Sequence, residues 1–235
     1  GALDLSIYPV VRACGFTTGD YQVPSDDDLA TLTALVDYTR IDYDPASGAV
    51  SLPEGMEIDL GSVAKGYAGR EAAQLLRQAG VSSALLNLGG NIQTVGSRPD
   101  GDPWQIGVKD PSTGQPMMVL SIRDQAVVTS GGYERYFQPA GRTYRHIMDP
   151  ATGRPAESGL RSVTIVGDDG LVCDGLSTAL FVMGLERAAQ FWAGSDDFEA
   201  IFVTDDGSVY LTQGLTDRFA LTQDHADTPV QVIQR

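Results

Sequence analysis

Apolar residues recur at helical spacing in several stretches of the 235-residue chain. Pro24 and Ser25, followed by three aspartates, predict the start of a first helix. Its buried stripe is expected to comprise Leu29, Leu32, Leu35 and Val36. A second helix is predicted from about Ser62 to Gln78, with Gly80 ending it. Its apolar residues at helical spacing are Ala64, Ala68, Ala72, Leu75, Leu76 and Ala79.

A third helix is predicted over about Leu171 to Met183, continuing past Gly184 into LERAAQFWAG. Shorter runs of β-branched or alternating residues predict strands. These runs are SALLNL, WQIGV, MMVLSI, AVVTS, YRHIM, RSVTIV, EAIFV and SVYLT. The tripeptide DDG that ends at Gly207, between the last two runs, is typical of a hairpin turn. Because the strands come in adjacent pairs, the pattern predicts an α+β fold with antiparallel sheet.

The composition narrows the range of functions. A formal charge of −15 arises from 31 acidic and 16 basic residues. Nucleic acid is bound through clustered Lys and Arg, so this balance argues against such a partner. The chain contains no run of about 18 apolar residues, and no transmembrane segment is predicted in it. Without repeats, low-complexity tracts or linkers, residues 1–235 are expected to form a single compact domain.

The chain opens on GALDLSIYPVV, an apolar segment more typical of the interior of a domain than of a polar terminus. We therefore expect further sequence upstream, which could include a secretion signal or a lipid anchor. Cys14 and Cys173 lack the spacing of a metal site or a redox pair, and they are expected to be buried thiols.

Three glycine-containing segments could face a ligand. IDLGSVAKGYAGR places Asp59 and Lys65 beside a predicted helix N-terminus, where backbone N–H groups favour an anion. A capped helix with a surface lysine explains the same pattern. NLGGNI and TSGGYER each follow an apolar strand, and their paired glycines would allow close approach of a ligand to the backbone. Either segment alone could be a plain turn, but two of them, each ending an apolar strand, favour an edge that faces a ligand.

Three further residues have side chains suited to chemistry. His146 lies in HIMDPATG, close to an aspartate and a tight turn, although a histidine in a strand is more often structural. The only other histidine, His225, lies in the polar segment HADTP and is expected to be solvated. Asp174 and Thr178 are four residues apart on one predicted helix, so they share a face. Their hard oxygen atoms suit magnesium, but a helix-stabilising acid and a packed threonine fit equally well.

Taken together, these motifs resemble the FAD:protein FMN transferase family, the ApbE type once described as thiamine-biosynthesis lipoproteins. The resemblance extends from Gly1 to about Gly184. Its motifs, in the family's order, are GALDLSIYPVV, IDLGSVAKGYA, NLGGNI, TSGGYERYF, HIMDPATGRP and DGLSTALFVMG. It implies an α+β fold related to the T-fold, in which helices cover antiparallel sheets. Relatives usually carry roughly a hundred more residues upstream, the size of a small domain, so this flavin-transferase domain is expected to be truncated at its N-terminus.

The resemblance also implies roles for individual residues. The FAD site would be lined by Ala2, Leu3, Asp4, Asp59, Lys65 and the backbone near Met148. Magnesium would be held by Asp174, Thr178 and a backbone oxygen at Ser62, and Ser177 occupies a position where some relatives carry a further acidic ligand. His146 is the candidate base. The family's usual LWGF reads ACGF here, with Cys14 in place of Trp, a difference expected to affect packing.

The implied reaction is magnesium-dependent transfer of FMN from FAD to a Ser or Thr hydroxyl of a target flavoprotein, with release of AMP. Two alternatives stay open at this point. The same site could hydrolyse FAD to FMN and AMP, or the chain could bind FAD without chemistry. In the family the acceptor is typically a membrane or secreted redox protein, which implies an extracytoplasmic location.

Overall fold

The computed structural model describes residues 1–141 and 143–235. The α-helices, in chain order, are α1 (Tyr8–Ala13), α2 (Asp26–Thr33), α3 (Ala64–Gln78), α4 (Gly170–Met183) and α5 (Leu185–Ala193). The strands are β1 (Asp42–Asp44), β2 (Ala49–Ser51), β3 (Ser83–Leu88), β4 (Asn91–Gly96), β5 (Trp104–Lys109), β6 (Pro116–Ile122), β7 (Ala126–Gly131), β8 (Tyr136–Phe137), β9 (Tyr144–Arg145), β10 (Met148–Asp149), β11 (Arg154–Pro155), β12 (Leu160–Gly167), β13 (Phe198–Thr204), β14 (Val209–Thr212), β15 (Phe219–Leu221) and β16 (Val230–Ile233).

The described chain divides into two compact units. Unit 1 comprises Gly1–Leu60 and Glu134–Ala156, and unit 2 comprises Gly61–Tyr133 and Glu157–Arg235. The sequence predicts a single compact domain over residues 1–235, and whether the two units act as one domain stays a prediction. Each unit is described by itself below.

Unit 1 is built from short helices and three antiparallel strand pairs, β1–β2, β8–β9 and β10–β11. The predicted helix after Ser25 is confirmed as α2, because the Ser25 hydroxyl accepts a hydrogen bond from Asp28 N and caps it. The helix ends at Thr33, so Leu35 and Val36, which the prediction placed in its buried stripe, lie beyond it. The core of the unit consists of Val10, Cys14, Leu29, Tyr144 and Met148.

Unit 2 contains the main sheets. A seven-stranded sheet has the order β16-β14-β13-β12-β7-β4-β3, and a three-stranded sheet has the order β15-β6-β5. All of these strand pairs are antiparallel except β14–β16, which is parallel. Helix α4 packs against β7 and β12, and α3 packs against β4 and α4. The predicted α+β fold with antiparallel sheets is therefore confirmed.

Most strand predictions are confirmed, and one is wrong. The run YRHIM is divided between β9 and β10, with His146 outside both strands. The hairpin turn between β13 and β14 is confirmed, since Gly207 has φ of +87° and its N–H bonds to Thr204 O at 2.9 Å. The pattern does not predict seven strands, which are β1, β2, β4, β8, β11, β15 and β16. Strand β4 follows directly on the NLGG turn, and its polar buried residues hide its hydrophobic pattern.

Two helix predictions are wrong in detail. The face of α3 that is buried consists of Gly66, Gly69 and Ala73, whereas Ala68 and Leu75 are exposed. Glycines give no hydrophobic signal, so the periodicity indicated the wrong face. The third helix does not continue through Gly184, because φ of +75° and ψ of 167° at this residue separate α4 from α5.

The predicted thiol environment is confirmed. Cys14 and Cys173 are free and buried, and burial raises the pKa of the Cys14 thiol to about 11 and of the Cys173 thiol to about 12. Within residues 1–141 and 143–235, no helix combines the length and the apolar character needed to cross a membrane.

Candidate active site

In unit 2, the side chain of Asp174 is held between two helices. Asp174 lies on α4, is only 5% exposed, and accepts a hydrogen bond from Gly66 N of α3 through Oδ2 at 2.7 Å. Burial raises the pKa of the Asp174 carboxyl; the Gly66 N–H, the Lys65 ammonium and the nearby Asn91 amide lower it by less. A buried carboxylate with a raised pKa gains most from a cation that restores the lost solvation.

Two glycines allow these helices to approach each other. A Cβ atom at Gly66 would lie 2.2 Å from Gly170 O and 2.6 Å from the Cβ of Asp174. Gly170 is the first residue of α4, and the preceding Asp169 caps that helix by accepting from Leu171 N at 2.8 Å. Helix α4 therefore begins where α3 passes closest to it, which brings Asp174 to the first turn of α3.

The N-terminus of α3 is not capped by its own sequence. Val63 occupies the N-cap position without a side-chain hydrogen bond, and the first turn contains no acidic residue. Lys65 lies exposed in this turn, and Ser62, the predicted source of a backbone ligand, directly precedes the N-cap. The Asp174 carboxylate of α4 instead accepts from Gly66 N in this turn, so it caps the helix from a distant segment of the chain. Both explanations left open by the sequence therefore stay open.

Three hydroxyl groups lie together on α4 and β7. Ser130 Oγ is 2.7 Å from Ser177 Oγ and 3.1 Å from Thr178 Oγ1. Ser177 is fully buried and donates its own hydrogen to Asp174 O at 2.8 Å. Asp174 and Thr178 lie on one helix, as predicted. Thr178 also contacts Ser130 of β7, which the spacing of the two residues does not reveal.

Two amides of β4 in unit 2 are buried with polar atoms unpaired. Asn91 and Gln93 are each 2% exposed. Neither Nδ2 nor Oδ1 of Asn91, nor Oε1 of Gln93, makes a hydrogen bond of normal geometry to any residue that the structure describes. Asn91 lies close enough to Asp174 to lower the pKa of its carboxyl, and a Cβ atom at Gly170 would lie 2.7 Å from Gln93 Oε1. Unpaired buried groups are costly, so a polar ligand near the start of α4 would stabilise them.

The glycines of the two GG motifs have separate roles. In NLGGNI, Gly89 and Gly90 have φ of +63° and +93°, and Gly90 N bonds to Asn87 Oδ1 at 2.9 Å, so the motif forms the β3–β4 hairpin turn. In TSGGYER, a Cβ atom at Gly131 would lie 2.3 Å from the ring of Tyr133. The first motif is a turn whose following strand supplies Asn91, and the second contains Ser130.

The donor set in unit 2 suits a hard cation. Among the described residues, no group of three His, Cys, Asp or Glu side chains could hold a metal ion. One carboxylate, the Thr178 hydroxyl and an amide oxygen are instead the hard donors that Mg²⁺ accepts when water and substrate phosphate complete its coordination. The residues present therefore fit magnesium and do not fit a transition metal held by His or Cys.

In unit 1, His146 is held by a backbone carbonyl. The backbone nitrogen of His146 and its ring Nδ1 each lie 3.1 Å from Arg135 O. The ring of Phe16 packs edge-on against the imidazole at a centroid distance of 6.3 Å. A carbonyl oxygen can only accept, so Nδ1 carries the hydrogen. In the neutral ring, Nε2 is then the basic nitrogen.

The other predicted residues of unit 1 have mainly structural contacts. Asp4 is buried, and its carboxylate accepts from Ser6 N, Ser6 Oγ and Tyr38 N at 2.6–3.1 Å. Asp59 N donates to Leu5 O at 2.9 Å. The neighbouring Ala2 and Leu3 are partly exposed, and the side chain of Met148 belongs to the core. Their contribution to an FAD site stays a prediction.

The expectation of a solvated His225 is wrong. Its side chain is 18% exposed; Nδ1 lies 3.0 Å from Thr222 Oγ1, and Nε2 lies 3.4 Å from Asp110 Oδ2. The segment around His225 is polar, so the sequence predicts that it is solvated. In the structure β15 pairs with β6, and the turn that follows β15 lies against this sheet.

Several residues of the candidate site were not identified from the sequence. Ser130, Gly66, Asn91 and Gln93 all lie within or beside motifs that were noticed for their glycines. Gly66 and Asp174 are 108 residues apart, so no local spacing connects them.

The chain is similar to known proteins over most of its length. The ApbE family matches residues 1–202. The FAD:protein FMN transferase of Klebsiella pneumoniae (strain 342) is 37% identical over 93% of this chain and 68% of its own length. The protein of the same name from Treponema pallidum (strain Nichols) is also 37% identical, over 83% of this chain, which spans 59% of that relative.

Solved structures agree with this assignment. The ApbE protein of Thermotoga maritima matches with a TM-score of 0.85 and 33% identity, over 91% of this chain and 71% of that one. The flavin transferase ApbE of Vibrio cholerae matches with a TM-score of 0.80 and 30% identity, over 93% and 71% of the two chains. The resemblance of the motifs is confirmed, and the chain belongs to the ApbE family.

Proposed function

We propose that this chain transfers FMN from FAD to a Ser or Thr hydroxyl of an acceptor flavoprotein, with magnesium as cofactor and release of AMP. The observation that carries the proposal is the buried Asp174, one turn before Thr178 on α4 and hydrogen-bonded to the first turn of α3, in a member of the ApbE family. The names of the relatives, FAD:protein FMN transferase, support the substrate and the reaction class.

The reaction forms one bond and breaks one bond at phosphorus. The acceptor hydroxyl oxygen attacks the FMN phosphorus of FAD, and the bond from that phosphorus to the bridging oxygen of the pyrophosphate breaks, so AMP leaves with that oxygen. Nε2 of His146 accepts the hydroxyl proton in this proposal, as the Arg135 carbonyl keeps the hydrogen on Nδ1.

In unit 2, the residues of the chain stabilise negative charge. Asp174, Thr178 and a backbone oxygen at Ser62 would hold magnesium, which supplies Lewis-acid stabilisation of the pyrophosphate oxygens when bound. The Lys65 ammonium and the N–H groups at the start of α3 add donors for the same charge. The net charge of −15 would otherwise oppose binding of an anionic substrate.

Release of AMP from FAD tests this assignment. With acceptor and magnesium present, the Asp174→Asn variant should release AMP about 100-fold more slowly than the parent chain, because the amide keeps the Gly66 hydrogen bond but binds the cation poorly. Asp169→Asn, a matched control that also removes one charge and still caps α4, should retain activity.

Other results would identify the alternatives. AMP release that is equally fast without acceptor indicates FAD hydrolysis, and no AMP release under any condition indicates a flavin-binding module. An unchanged rate in Asp174→Asn would remove this residue from the metal site.

We further propose an acceptor that is a redox protein outside the cytoplasm, as expected from the family resemblance. Labelling of candidate acceptors in periplasmic and cytoplasmic fractions with FAD and this chain would test the location, and modification confined to cytoplasmic proteins would contradict it.

A further inference from the structure

The three hydroxyls on α4 and β7 can share hydrogens in only one direction. Ser177 donates to Asp174 O, a carbonyl oxygen that cannot donate in return. Its single hydrogen is thereby used, so in the 2.7 Å contact between Ser130 and Ser177 the donor is Ser130. Ser130 then has no hydrogen left, and in the 3.1 Å contact with Thr178 the donor is Thr178.

The direction of the hydrogen bond between Thr178 and Ser130 decides how well the Thr178 oxygen can bind a cation. Its hydroxyl hydrogen is directed at Ser130, which leaves the oxygen lone pairs for another partner. A hydroxyl that accepted a hydrogen from Ser130 would instead have one lone pair occupied. The arrangement therefore presents Thr178 Oγ1 as an electron-pair donor, the form in which a neutral hydroxyl binds a metal ion.

We propose that Ser130 and Ser177 form a hydroxyl relay that fixes Thr178 Oγ1 as a magnesium ligand, an inference that rests on the function proposed for this site. Ser130 and Ser177 are positioning residues in this account, and neither binds the metal directly. The relay also gives Ser177 a role different from that of the acidic ligand that the family resemblance implies at this position in some relatives.

Burial protects the hydrogen bonds of the relay from competing water. Ser177 is 0% exposed, so no bulk water competes for its hydrogen bonds, and the Asp174 carbonyl that ends the relay belongs to the residue whose carboxylate is the proposed ligand. The proposed ligand Asp174 and the relay residue Ser177 thus lie within one turn of α4. Groups that orient metal ligands in this way typically change metal affinity by about 10- to 100-fold when removed.

The two serines should differ in what their removal does. In Ser130→Ala, Thr178 loses its acceptor and its hydroxyl rotates freely. In Ser177→Ala, Ser130 regains a free hydrogen that it can donate to Thr178, which occupies a lone pair. Both changes weaken metal binding through Thr178, so the double variant should be no weaker than Ser130→Ala alone.

Calorimetric titration with Mg²⁺, in the absence and presence of ADP as a diphosphate probe, measures this effect. We expect the Mg²⁺ dissociation constant to rise about 10-fold in both single variants, with no further rise in the double variant. The matched control is Thr129→Val, which removes a hydroxyl bonded to Thr164 Oγ1 at 2.8 Å on the neighbouring position of β7. It should bind Mg²⁺ as the parent chain does, and thermal unfolding without Mg²⁺ reports whether each variant is folded.

Two results would overturn the relay. An unchanged dissociation constant in Ser130→Ala would remove Ser130 from the site, and a further rise in the double variant would make Ser177 an independent ligand. Failure of the relay is distinguishable from failure of the metal assignment, because in the first case Asp174→Asn still weakens Mg²⁺ binding. A parent chain that binds no Mg²⁺ with or without ADP would overturn both.

Discussion

Asp174 and His146 show how single hydrogen bonds prepare side chains for chemistry. The Gly66 N–H holds one oxygen of the Asp174 carboxylate at 2.7 Å and leaves the other for a ligand. The Arg135 carbonyl fixes the hydrogen of His146 on Nδ1, so Nε2 is the basic nitrogen of the neutral ring and the proposed base. In both cases a backbone group of a distant segment decides which atom of the side chain can react.

Replacement of the histidines should separate catalysis from stability. His146→Ala should lower the rate of FMN transfer by about 10²–10⁴-fold, the usual contribution of a general base, with FAD affinity largely unchanged. His225→Ala is the matched control: it removes the partner of Asp110 and should leave the rate intact while lowering the unfolding temperature. Steady-state kinetics and FAD titration check both, and equal rates in the two variants would exclude His146 as the base.

Asp124 should make stability depend on pH. Its burial raises its pKa, but the Arg77 guanidinium at 2.7 Å and Gly96 N at 2.9 Å outweigh this effect, and the pKa is lowered overall. Its stabilising contribution is therefore complete above the unfolded-state pKa of about 3.9 and is lost as the pH falls through the lower folded-state pKa.

The Asp124→Asn variant tests this effect, since Asn tolerates the φ of +53° at this position. Solvent screens the pair, so we expect a loss of only about 0.5 kcal/mol at pH 7 that shrinks below about pH 4. Urea denaturation at several pH values measures the difference, and a constant difference across that range would contradict the ionic origin.

At the scale of elements, the crossing of α3 and α4 positions the proposed metal site. Its determinant is Gly66, which contacts the start of α4, where any side chain would collide with Gly170 O. One helical turn later, Gly69 has more room, because a Cβ atom there would lie 3.5 Å from its nearest neighbour, Gln93 Cβ. Replacing glycine by a larger residue is therefore expected to cost more stability at position 66 than at position 69.

Alanine substitution of these glycines should have opposite effects. Gly66→Ala should destabilise the fold by about 2 kcal/mol or more, because the helices must separate, and should weaken Mg²⁺ binding. Gly69→Ala should be neutral or stabilise by up to about 1 kcal/mol, the usual preference for Ala in a helix. Chemical denaturation and Mg²⁺ titration measure both, and equal stability of the two variants would argue against a tight crossing.

Helices and strands were predictable where the pattern of apolar residues along the chain matches the residues that are buried in the fold. Strands β3, β5, β6, β7, β12, β13 and β14 have apolar runs of sufficient length, and α2 has its own serine cap. The buried face of α3 was not predictable, because it is made of glycines whose burial reflects backbone approach and not side-chain hydrophobicity. The break at Gly184 was not predictable for a related reason, since positive φ leaves no trace in hydrophobic periodicity.

At the scale of the whole molecule, the ordered motifs identified the family, and the spacing of Asp174 and Thr178 placed both on one helix. The contact of Gly66 with Asp174 and that of Ser130 with Thr178 span 108 and 48 residues. Contacts of this range arise from the topology of the sheet and helices, which spacing alone does not encode. The sequence thus predicts Asp174 and Thr178, while the other residues of the candidate site and the hydrogen bonds that orient them emerge only from the fold.

The intact mass of an acceptor protein tests the central claim most directly. A secreted redox domain with a Ser/Thr acceptor motif is incubated with FAD and this chain, with Mg²⁺ or with EDTA in excess. We predict that its mass increases by one FMN phosphoester only with Mg²⁺, and that the Asp174→Asn variant produces this increase about 100-fold more slowly. An unmodified acceptor in the presence of Mg²⁺, whether FAD is cleaved to free FMN and AMP or remains intact, would contradict the claim.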